Sequence, residues 1–242
     1  MRIGILGYGK MGHAVERHAV SRNHETSILT LPDPSYDAVL SDLDCVIDFS
    51  DASVAHEAIH ACLDRGVPVV SGTTGWTFDK AAADTYCKDR GTAFCWAPNF
   101  SIGMHITFQL NRMLARMMNQ VDGYTASMLE VHHTQKRDSP SGTAIALAED
   151  IIKELDAVDN WQLKSDHIDS SEGTLDIDAR REEDVKGIHR VVYTGAADTI
   201  SLRHHALSRD GFAIGAVIAA EKLQGKTGYF DFETLLNFQT KR

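Results

Sequence analysis

Cysteine is scarce in this chain, with four among 242 residues. Their spacings are unrelated and no Cys-x-x-Cys pair occurs, which argues against both a zinc ribbon and a disulfide framework. No stretch approaches the roughly 18 unbroken apolar residues that a membrane span needs, and no charged segment followed by an apolar run opens the chain as a secretory signal would. These absences predict a cytoplasmic protein that has no membrane partner.

Basic residues are also in short supply, because 24 Lys and Arg face 34 Asp and Glu, for a formal net charge of −10. Nucleic acids and anionic membranes are bound mainly through positive surfaces, so this balance argues against both as partners. The hydrophobic content of 43% is ample for a packed core. The length allows one large domain or two small ones.

A glycine-rich turn is the first motif that the chain does contain. The apolar segment from Arg2 to Leu6 predicts a strand, and a helical pattern follows it. In this setting, the Gly-x-Gly-x-x-Gly pattern permits a tight turn and the close approach of a pyrophosphate to a helix N-terminus. The alternative is a glycine turn that binds nothing. The predicted dinucleotide-binding residues are Gly7, Tyr8, Gly9, Lys10, Met11 and Gly12.

The end of the second predicted strand departs from the usual dinucleotide-binding pattern. An acidic residue there would bind the ribose hydroxyls of NAD. Thr30, Leu31 and Pro32 occupy this place instead, Asp33 lies a little beyond it, and no arginine is present to favour NADP. The sequence therefore predicts NADH or NADPH as cofactor and leaves the preference open.

Strands and helices continue to alternate, with further strands predicted over residues 44–49, 67–70 and 92–96. This alternation predicts an α/β fold with a Rossmann-like, doubly wound parallel sheet. Glycines and small hydroxyl residues follow two of the strands, at the edge where such a sheet receives its ligand. Each loop taken alone could be an ordinary turn. The residues concerned are Gly72, Thr73 and Thr74 in one loop and Ala97, Pro98, Asn99 and Phe100 in the other.

The helix predicted from about Ser53 to Arg65 contains a His-Glu-x-x-His pattern, which also occurs in zinc proteases. A helical wheel places His56 and His60 on the polar side, opposite Ala55 and Ala58. We therefore expect both histidines to be solvated. No metal site is predicted.

The richest stretch of chemistry runs from Glu130 to Thr143. A strand predicted over residues 124–131 gives way to His132, His133 and Lys136, and Ser141 is a good N-cap for the helix that follows. The amides of Gly142 and Thr143 at this helix N-terminus, together with Lys136, would form a clamp for a carboxylate or phosphate. The alternative is a loop whose basic residues are merely solvated.

The regular alternation stops after a long amphipathic helix predicted from Ser101 to about Gln120. Beyond the stretch just described lies a polar connection over residues 156–174. Three strand-like runs follow, over residues 175–182, 188–193 and 199–206. This block predicts a second, α+β domain.

The string His132-His133-x-x-Lys136-x-Asp138-x-Pro140-Ser141-Gly142-Thr143-Ala144 closely resembles the signature of the dihydrodipicolinate reductases, enzymes of the diaminopimelate and lysine pathway. Ser139 stands where that family often has alanine. The Gly-Thr-Thr-Gly and Pro-Asn-Phe-Ser loops also agree with the family, which uses them around the nicotinamide. The resemblance spans nearly the whole chain.

The resemblance implies an oxidoreductase that uses NAD(P)H to reduce the dehydration product of 4-hydroxy-tetrahydrodipicolinate to tetrahydrodipicolinate. It implies that His132 and Lys136 deliver the proton and that His133, Gly142 and Thr143 bind a small dicarboxylate substrate. The dinucleotide-binding domain is then expected to comprise residues 1–99 and 209–242, because the family's tail packs on that domain. Residues 100–208 would form the substrate and oligomerisation domain of a homotetramer, with the block from Leu175 to Ala206 supplying the interface.

Two other classes of protein share part of this pattern. A dehydrogenase acting on another amino-dicarboxylate, such as an aspartate dehydrogenase, would have the first domain but no reason to carry the string from Lys136 to Thr143. A non-catalytic nucleotide sensor would keep the Gly7 loop and dispense with the histidines.

We expect both NADH and NADPH to be used, within about tenfold in kcat/KM, a difference of about 1.4 kcal/mol. The reason is that Leu31 offers neither a carboxylate to repel a 2′-phosphate nor a cation to attract one. Parallel steady-state assays with the two cofactors measure the ratio. A preference of several hundredfold would show that other residues distinguish them.

Overall fold

The structure is a computed structural model that describes residues 1–30, 39–164 and 171–238. The chain divides into two compact units, one comprising Met1–Ile102 with Arg209–Arg242 and the other Gly103–Ser208. Leu31, Pro32 and Asp33 lie outside the described residues, so the cofactor preference inferred from them stays a prediction. The assignment of nucleotide binding to the first unit and substrate binding to the second also stays a prediction.

The first unit contains a six-stranded sheet in the order β11-β5-β4-β3-β1-β2, and every pairing is parallel. The chain moves from β1 outward to β2 and then returns to β3 on the other side of β1, so the strand order reverses there. Ligands of such sheets bind at the carboxyl ends of the strands, at this reversal. The strands are β1 (Arg2–Leu6), β2 (Glu25–Leu29), β3 (Cys45–Asp48), β4 (Val69–Ser71), β5 (Ala93–Trp96) and β11 (Gly228–Asp231).

Helices cover both faces of this sheet. Ile3, Ile5 and Ile47 pack on one face with α1 (Lys10–Ser21) and α6 (Asp210–Leu223). The side chains of Val46 and Val69 point to the other face, where they pack with α2 (Ala52–Leu63) and α3 (Lys80–Asp89). Strands buried on both faces need apolar residues at consecutive positions, which explains their composition. The predicted Rossmann-like, doubly wound fold is confirmed.

The C-terminal tail is an integral part of the first unit. Strand β11 pairs with β5, and α6 and α7 (Phe232–Leu236) pack in the same core as β1 and β3. The contact between α6 and the loop after β5 is close, because a Cβ atom on Gly215 would lie 1.8 Å from the carbonyl oxygen of Phe100. A side chain at position 215 would therefore separate the tail from this loop.

The second unit is built on a five-stranded mixed sheet in the order β10-β9-β6-β8-β7. Strand β9 is antiparallel to β6 and β10, whereas β6, β8 and β7 are parallel to one another. Residues of α4 (Ile102–Met118) and α5 (Gly142–Glu154) form a core with this sheet. The strands are β6 (Thr125–His132), β7 (Asn160–Leu163), β8 (Thr174–Arg181), β9 (Ile188–Thr194) and β10 (Thr199–His205).

Strand β7 corrects the expectation of an irregular polar connection over residues 156–174. It is a short edge strand whose side chains are exposed or half-buried. Polar and apolar residues do alternate over Asn160–Leu163, and Trp161 packs against the core, but this strand signal covers only four residues of a polar segment. The pairing of β7 with β8 also stabilises it.

Part of the apolar alternation of the block from Leu175 to Ala206 faces the core of the second unit, and the subunit interface expected from this block stays a prediction. Leu175 and Ile177 of β8 and Val191 and Tyr193 of β9 are buried in the core of their own unit. Successive residues of a strand point to opposite faces, so the residues between these four side chains lie on the other face of the sheet. Ile200 and Leu202 of β10 are not part of this core, and Ile200 is exposed.

No helix among the described residues is long and apolar enough to cross a membrane. All four cysteines are buried and none forms a disulfide.

We expect Gly215→Ala to lower the free energy of unfolding by about 3 kcal/mol, as overpacking does. Alanine would gain about 1 kcal/mol of helix propensity, but its Cβ atom would overlap the Phe100 carbonyl oxygen. Gly211→Ala is the matched control, because the nearest atom to its Cβ position is the Ser101 hydroxyl oxygen at 3.9 Å. Urea unfolding followed by circular dichroism compares the two. Equal stability of both variants would contradict the expected clash.

Candidate active site

The glycines that follow β1 are present for different structural reasons. Gly7 has a φ of 81°, and a Cβ atom there would lie 2.2 Å from the carbonyl oxygen of Phe49. A Cβ atom on Gly12 would lie 2.4 Å from the carbonyl oxygen of Gly7. These two glycines therefore allow β1, β3 and α1 to approach closely.

Gly9 instead leaves open space. Among the described residues, no atom lies within 4 Å of its Cβ position and no side chain caps the N-terminus of α1. Free amides at a helix N-terminus attract anions, so this turn fits the pyrophosphate of a dinucleotide. Tyr8 and Lys10 are exposed beside it, whereas Met11 packs against the core.

A buried aspartate ties the carboxyl ends of the central strands together. One oxygen of Asp48 accepts a hydrogen bond from the Ser71 hydroxyl at 2.7 Å, and the other accepts one from the Ser50 amide at 2.9 Å. The Gly72 amide donates to the main-chain oxygen of Asp48 at 2.9 Å. The loop after β4 is thereby fixed to β3. Asp48 was not among the residues assigned a role from the sequence.

Two tryptophans hold the loop that follows β4. The indole N–H groups of Trp76 and Trp96 both donate to the carbonyl oxygen of Thr73, each at 2.9 Å. Gly72 lies against the Phe49 ring, because a Cβ atom there would be 2.2 Å from Cε1. Thr73 is buried and Thr74 exposed, so the two threonines face different surroundings.

The loop after β5 can offer a ligand two side chains and otherwise main-chain atoms. Ala97 and Phe100 are buried in the core of the first unit. Pro98 is exposed and Asn99 half-buried, and the Asn99 side-chain oxygen accepts a hydrogen bond from the Ser101 amide at 2.8 Å.

A buried glutamate occupies the centre of the polar cluster in the second unit. Glu130 is 0% exposed, and both of its oxygens lie 3.1 Å from the Ser141 amide. The Arg181 guanidinium donates to the same carboxylate at 3.3 Å. Burial alone would raise the pKa of Glu130, but its contacts with His132 and Ser141 outweigh burial and hold the pKa at about 2. The group is therefore a carboxylate at neutral pH.

His132 is the last residue of β6, and its ring is buried between two neighbours. Its Nδ1 atom lies 3.2 Å from the Glu130 carboxylate, which is an ion-pair distance although the ring is not aligned for a good hydrogen bond. On the other side, a Cβ atom on Gly187 would lie 3.2 Å from Nε2. The ring thus lies between the Glu130 carboxylate and the space that the missing side chain of Gly187 leaves open.

A second buried histidine supports the start of α5. The Nε2 atom of His189 lies 3.2 Å from the Ser141 hydroxyl, which also accepts a hydrogen bond from the Ala144 amide as the N-cap of α5. Burial and the nearby His132 ring lower the pKa of His189 to about 3. His189 is therefore neutral at physiological pH.

Lys136 lies on the loop between β6 and α5, where its ammonium group pairs with Asp138 at 2.9 Å. Arg181 also contacts this loop by donating to the main-chain oxygens of Lys136 and Asp138. The sequence had predicted that Lys136 would face the helix N-terminus, and its pairing with Asp138 was not anticipated.

The strand-to-helix arrangement of the signature stretch is as predicted, with Ser141 as N-cap. His133 follows the end of β6 and is half-buried; at the N-terminus of α5, Gly142 is exposed and Thr143 half-buried. Arg181, Gly187 and His189 were missed because they come from β8, β9 and the turn between them. The signal that could have identified His189 is its inward position in β9, where the alternate residues are apolar.

Glu130, His132 and His189 could also be considered as metal ligands, since one atom from each lies within 4.8 Å of the others. The Glu130 carboxylate already accepts hydrogen bonds from Ser141 and the Arg181 cation, which would repel a metal ion. The cluster thus suits a hydrogen-bond network better, and the absence of a metal stays a prediction.

The histidines of α2 differ from each other in exposure. His56 is exposed as expected, but His60 is half-buried with its ring against Tyr86 at a centroid distance of 4.5 Å. The expectation that both are solvated was wrong for His60, because a helical wheel does not show the neighbouring α3. Burial also lowers the pKa of His60.

Comparison with known families matches both parts of the chain. Residues 1–100 match the model described as "Dihydrodipicolinate reductase, N-terminus", and residues 103–236 match its C-terminal counterpart. The chain belongs to the dihydrodipicolinate reductase family. The resemblance noted in the signature stretch is thereby confirmed.

Curated relatives from the same family match this chain over most or nearly all of its length. The 4-hydroxy-tetrahydrodipicolinate reductase of Christiangramia forsetii is 44% identical over 239 residues, covering 98% of this chain and 98% of the relative. The enzyme of the same name from Archaeoglobus fulgidus is 36% identical over 200 residues, covering 81% and 76%. The dipicolinate-bound dihydrodipicolinate reductase from Paenisporosarcina sp. TG-14 shares the fold, with a TM-score of 0.78, 20% identity and coverage of 97% and 98%.

We expect the free energy of unfolding of this protein to fall in mild acid, partly because of His189. The unfolded chain takes up a proton on this imidazole below its ordinary pKa of 6.5, whereas the folded chain does so only near 3. The free energy of unfolding should therefore lose about 2 to 3 kcal/mol from this group between about pH 6.5 and pH 4.5. Urea titrations at several pH values should show a shallower pH slope for His189→Gln. Equal slopes would contradict the buried neutral state.

Proposed function

We propose that this chain catalyses the NAD(P)H-dependent reduction of dehydrated 4-hydroxy-tetrahydrodipicolinate to tetrahydrodipicolinate. The observation that carries the proposal is the cluster of His132, Glu130 and Ser141 at the junction of β6 and α5. It joins a buried imidazole to a helix N-terminus through one carboxylate. Membership of the reductase family supports the same reaction.

The nicotinamide cofactor would supply the hydride in this reaction. The residues that would hold it are the turn from Gly7 to Gly12 and the loops from Gly72 to Thr74 and from Ala97 to Phe100. The open space at Gly9 and the uncapped start of α1 among the described residues support binding of its pyrophosphate there.

The second unit would bind the dicarboxylate and protonate it. Hydride addition to a conjugated imine leaves a carbanion-like centre that requires a proton, and His132 and Lys136 are the groups that we assign to its delivery. The amides of Gly142 and Thr143 and the side chains of His133 and Lys136 would hold the carboxylates. Asp138, at 2.9 Å, keeps the Lys136 ammonium group on this loop until a substrate carboxylate replaces it.

We further propose that the protein is a homotetramer assembled through its second unit and located in the cytoplasm. We infer that the interface uses the face of the mixed sheet that turns away from α4 and α5, which presents the half-buried Val192 and Leu129 and the ion pair of Asp178 and Arg180. Light scattering at micromolar concentration should give four times the mass of 26.7 kDa. A monomer would contradict the proposal.

Isotope-resolved detection of the product tests the reaction itself. Purified protein with labelled substrate and NADH or NADPH should give labelled tetrahydrodipicolinate. Oxidation of the cofactor without this product, but with an amino acid substrate, would indicate a different dehydrogenase. Nucleotide binding without turnover of either substrate would indicate a sensor.

Three variants test the assigned roles. We expect His132→Gln to lower kcat by on the order of 10², the low end of what a positioned acid contributes. Lys136→Gln should lower both kcat and substrate affinity, because it removes a proton donor and part of the clamp, whereas His133→Gln should mostly raise KM. The NADH dissociation constant, measured by calorimetry, should change in none of them.

Lys153→Gln is the matched control for Lys136→Gln, since it removes one positive charge from an exposed position at the end of α5. Its kinetic constants should match those of the wild type. Near wild-type kcat in both His132→Gln and Lys136→Gln would refute the proton-transfer site.

A further inference from the structure

We propose that Glu130 and Gly187 are positioning residues for His132: the carboxylate orients the ring from Nδ1, and the glycine leaves the space that Nε2 needs. The inference rests on the proposed function, in which His132 delivers a proton. It assigns roles to two residues that lie beside the imidazole, one of them more than fifty residues away in the sequence.

The carboxylate is suited to this role because it has no freedom to turn away. Both Glu130 oxygens are occupied by the Ser141 amide at 3.1 Å, and the Arg181 guanidinium holds Oε1 at 3.3 Å. Oε2 also faces His132, 3.2 Å from Nδ1. The Nδ1 atom is not aligned for a good hydrogen bond, but the negative charge at this distance favours the tautomer that carries the proton on Nδ1. Nε2 is consequently the nitrogen that exchanges its proton during the reaction.

Gly187 acts on the opposite side of the ring. It lies in the turn before β9, is buried, and has a φ outside the left-handed region, so its conformation does not require glycine. Glycine is needed there for steric reasons, because a Cβ atom would lie 3.2 Å from Nε2 and 3.4 Å from Cδ2 of His132. Any larger residue would push the ring toward Glu130 or cover the nitrogen that delivers the proton.

The same carboxylate connects the ring to the substrate clamp. The Ser141 amide donates to Glu130, and the Ser141 hydroxyl contacts His189. Ser141 also caps the helix whose first residues are Gly142 and Thr143. A movement of Glu130 would therefore displace the acid and the carboxylate-binding amides together. Ring and clamp keep one relative position, which is the condition for protonating a bound substrate at one atom.

The charged and titratable groups around His132 can be named from each strand and loop that surrounds it. Glu130 comes from β6 itself, Arg181 from the end of β8, and His189 from β9, with its ring centroid 5.0 Å from that of His132. Lys136 comes from the loop after β6. His189 stays neutral and Lys136 is paired with Asp138, so replacing Glu130 removes the negative charge that lies against Nδ1.

The test uses Glu130→Gln, Glu130→Asp and Gly187→Ala in the full-length protein, with Gly211→Ala as the matched glycine control. Imidazole 15N chemical shifts, with the His132 signal assigned by its loss in His132→Gln, report which nitrogen carries the proton. Steady-state kinetics over a range of pH report the protonation of the group that acts as the acid. Thermal melting and NADH binding by calorimetry report folding and the cofactor site.

We expect the wild type to carry the neutral-state proton on Nδ1 and Glu130→Gln to move it to Nε2, because the amide NH₂ group can donate to Nδ1. The kcat should fall by about 10- to 100-fold, with NADH affinity unchanged, and Glu130→Asp should restore the Nδ1 proton and part of the rate. Gly187→Ala should keep the Nδ1 proton but lose about tenfold in kcat. Gly211→Ala should match the wild type.

An Nδ1 proton retained in folded Glu130→Gln, or a kcat within twofold of wild type in Gly187→Ala, would overturn the proposal. If Glu130→Gln fails to fold because Arg181 loses its partner, Gly187→Ala and Glu130→Asp still decide the matter. The 15N shifts do not depend on turnover. A wild type that makes no tetrahydrodipicolinate would therefore refute the proposed function while leaving the positioning of His132 open to the same spectroscopic measurement.

Discussion

The second unit depends on one buried negative charge. A carboxylate removed from water is strongly destabilised unless charge and hydrogen bonds compensate it, and Glu130 is compensated by groups from three separate parts of the chain. These are His132 on its own strand, the Ser141 amide at the start of α5, and Arg181 at the end of β8. Because His132 and Ser141 also belong to the candidate site, the residues to which we assign substrate binding and protonation are arranged by the same contacts that make the burial of Glu130 tolerable.

The first unit achieves its arrangement differently, through close main-chain packing. Gly7, Gly12 and Gly72 each occupy a place where a side chain would overlap an adjacent strand or loop. Asp48 then joins the ends of β3 and β4 by hydrogen bonds. The outcome is a set of loops held in place at one edge of the sheet, which would lower the entropic cost of binding a long, flexible dinucleotide there.

The sequence predicted the elements whose patterns are local. The strand-turn-helix at Gly7, the consecutive apolar residues of the parallel strands and the Ser141 cap are each determined by neighbours within a few positions. Strand β7 was not predicted, since its alternating pattern covers only four residues and the strand also depends on its pairing with β8. Nor did the sequence predict that Arg181, Gly187 and His189 would meet His132, because register between distant strands decides which side chains become neighbours.

The double hydrogen bond to the Thr73 carbonyl oxygen has a practical consequence. The chain has three tryptophans, and the two that hold this loop, Trp76 and Trp96, have their indole N–H groups on the same acceptor. Indole emission responds to what its N–H group contacts, so the loop contains its own optical probe. The third, Trp161, lies on β7 in the other unit and provides an internal reference. A ligand that moved the Thr73 carbonyl oxygen would therefore change the emission of Trp76 and Trp96, whereas Trp161 would report on the second unit.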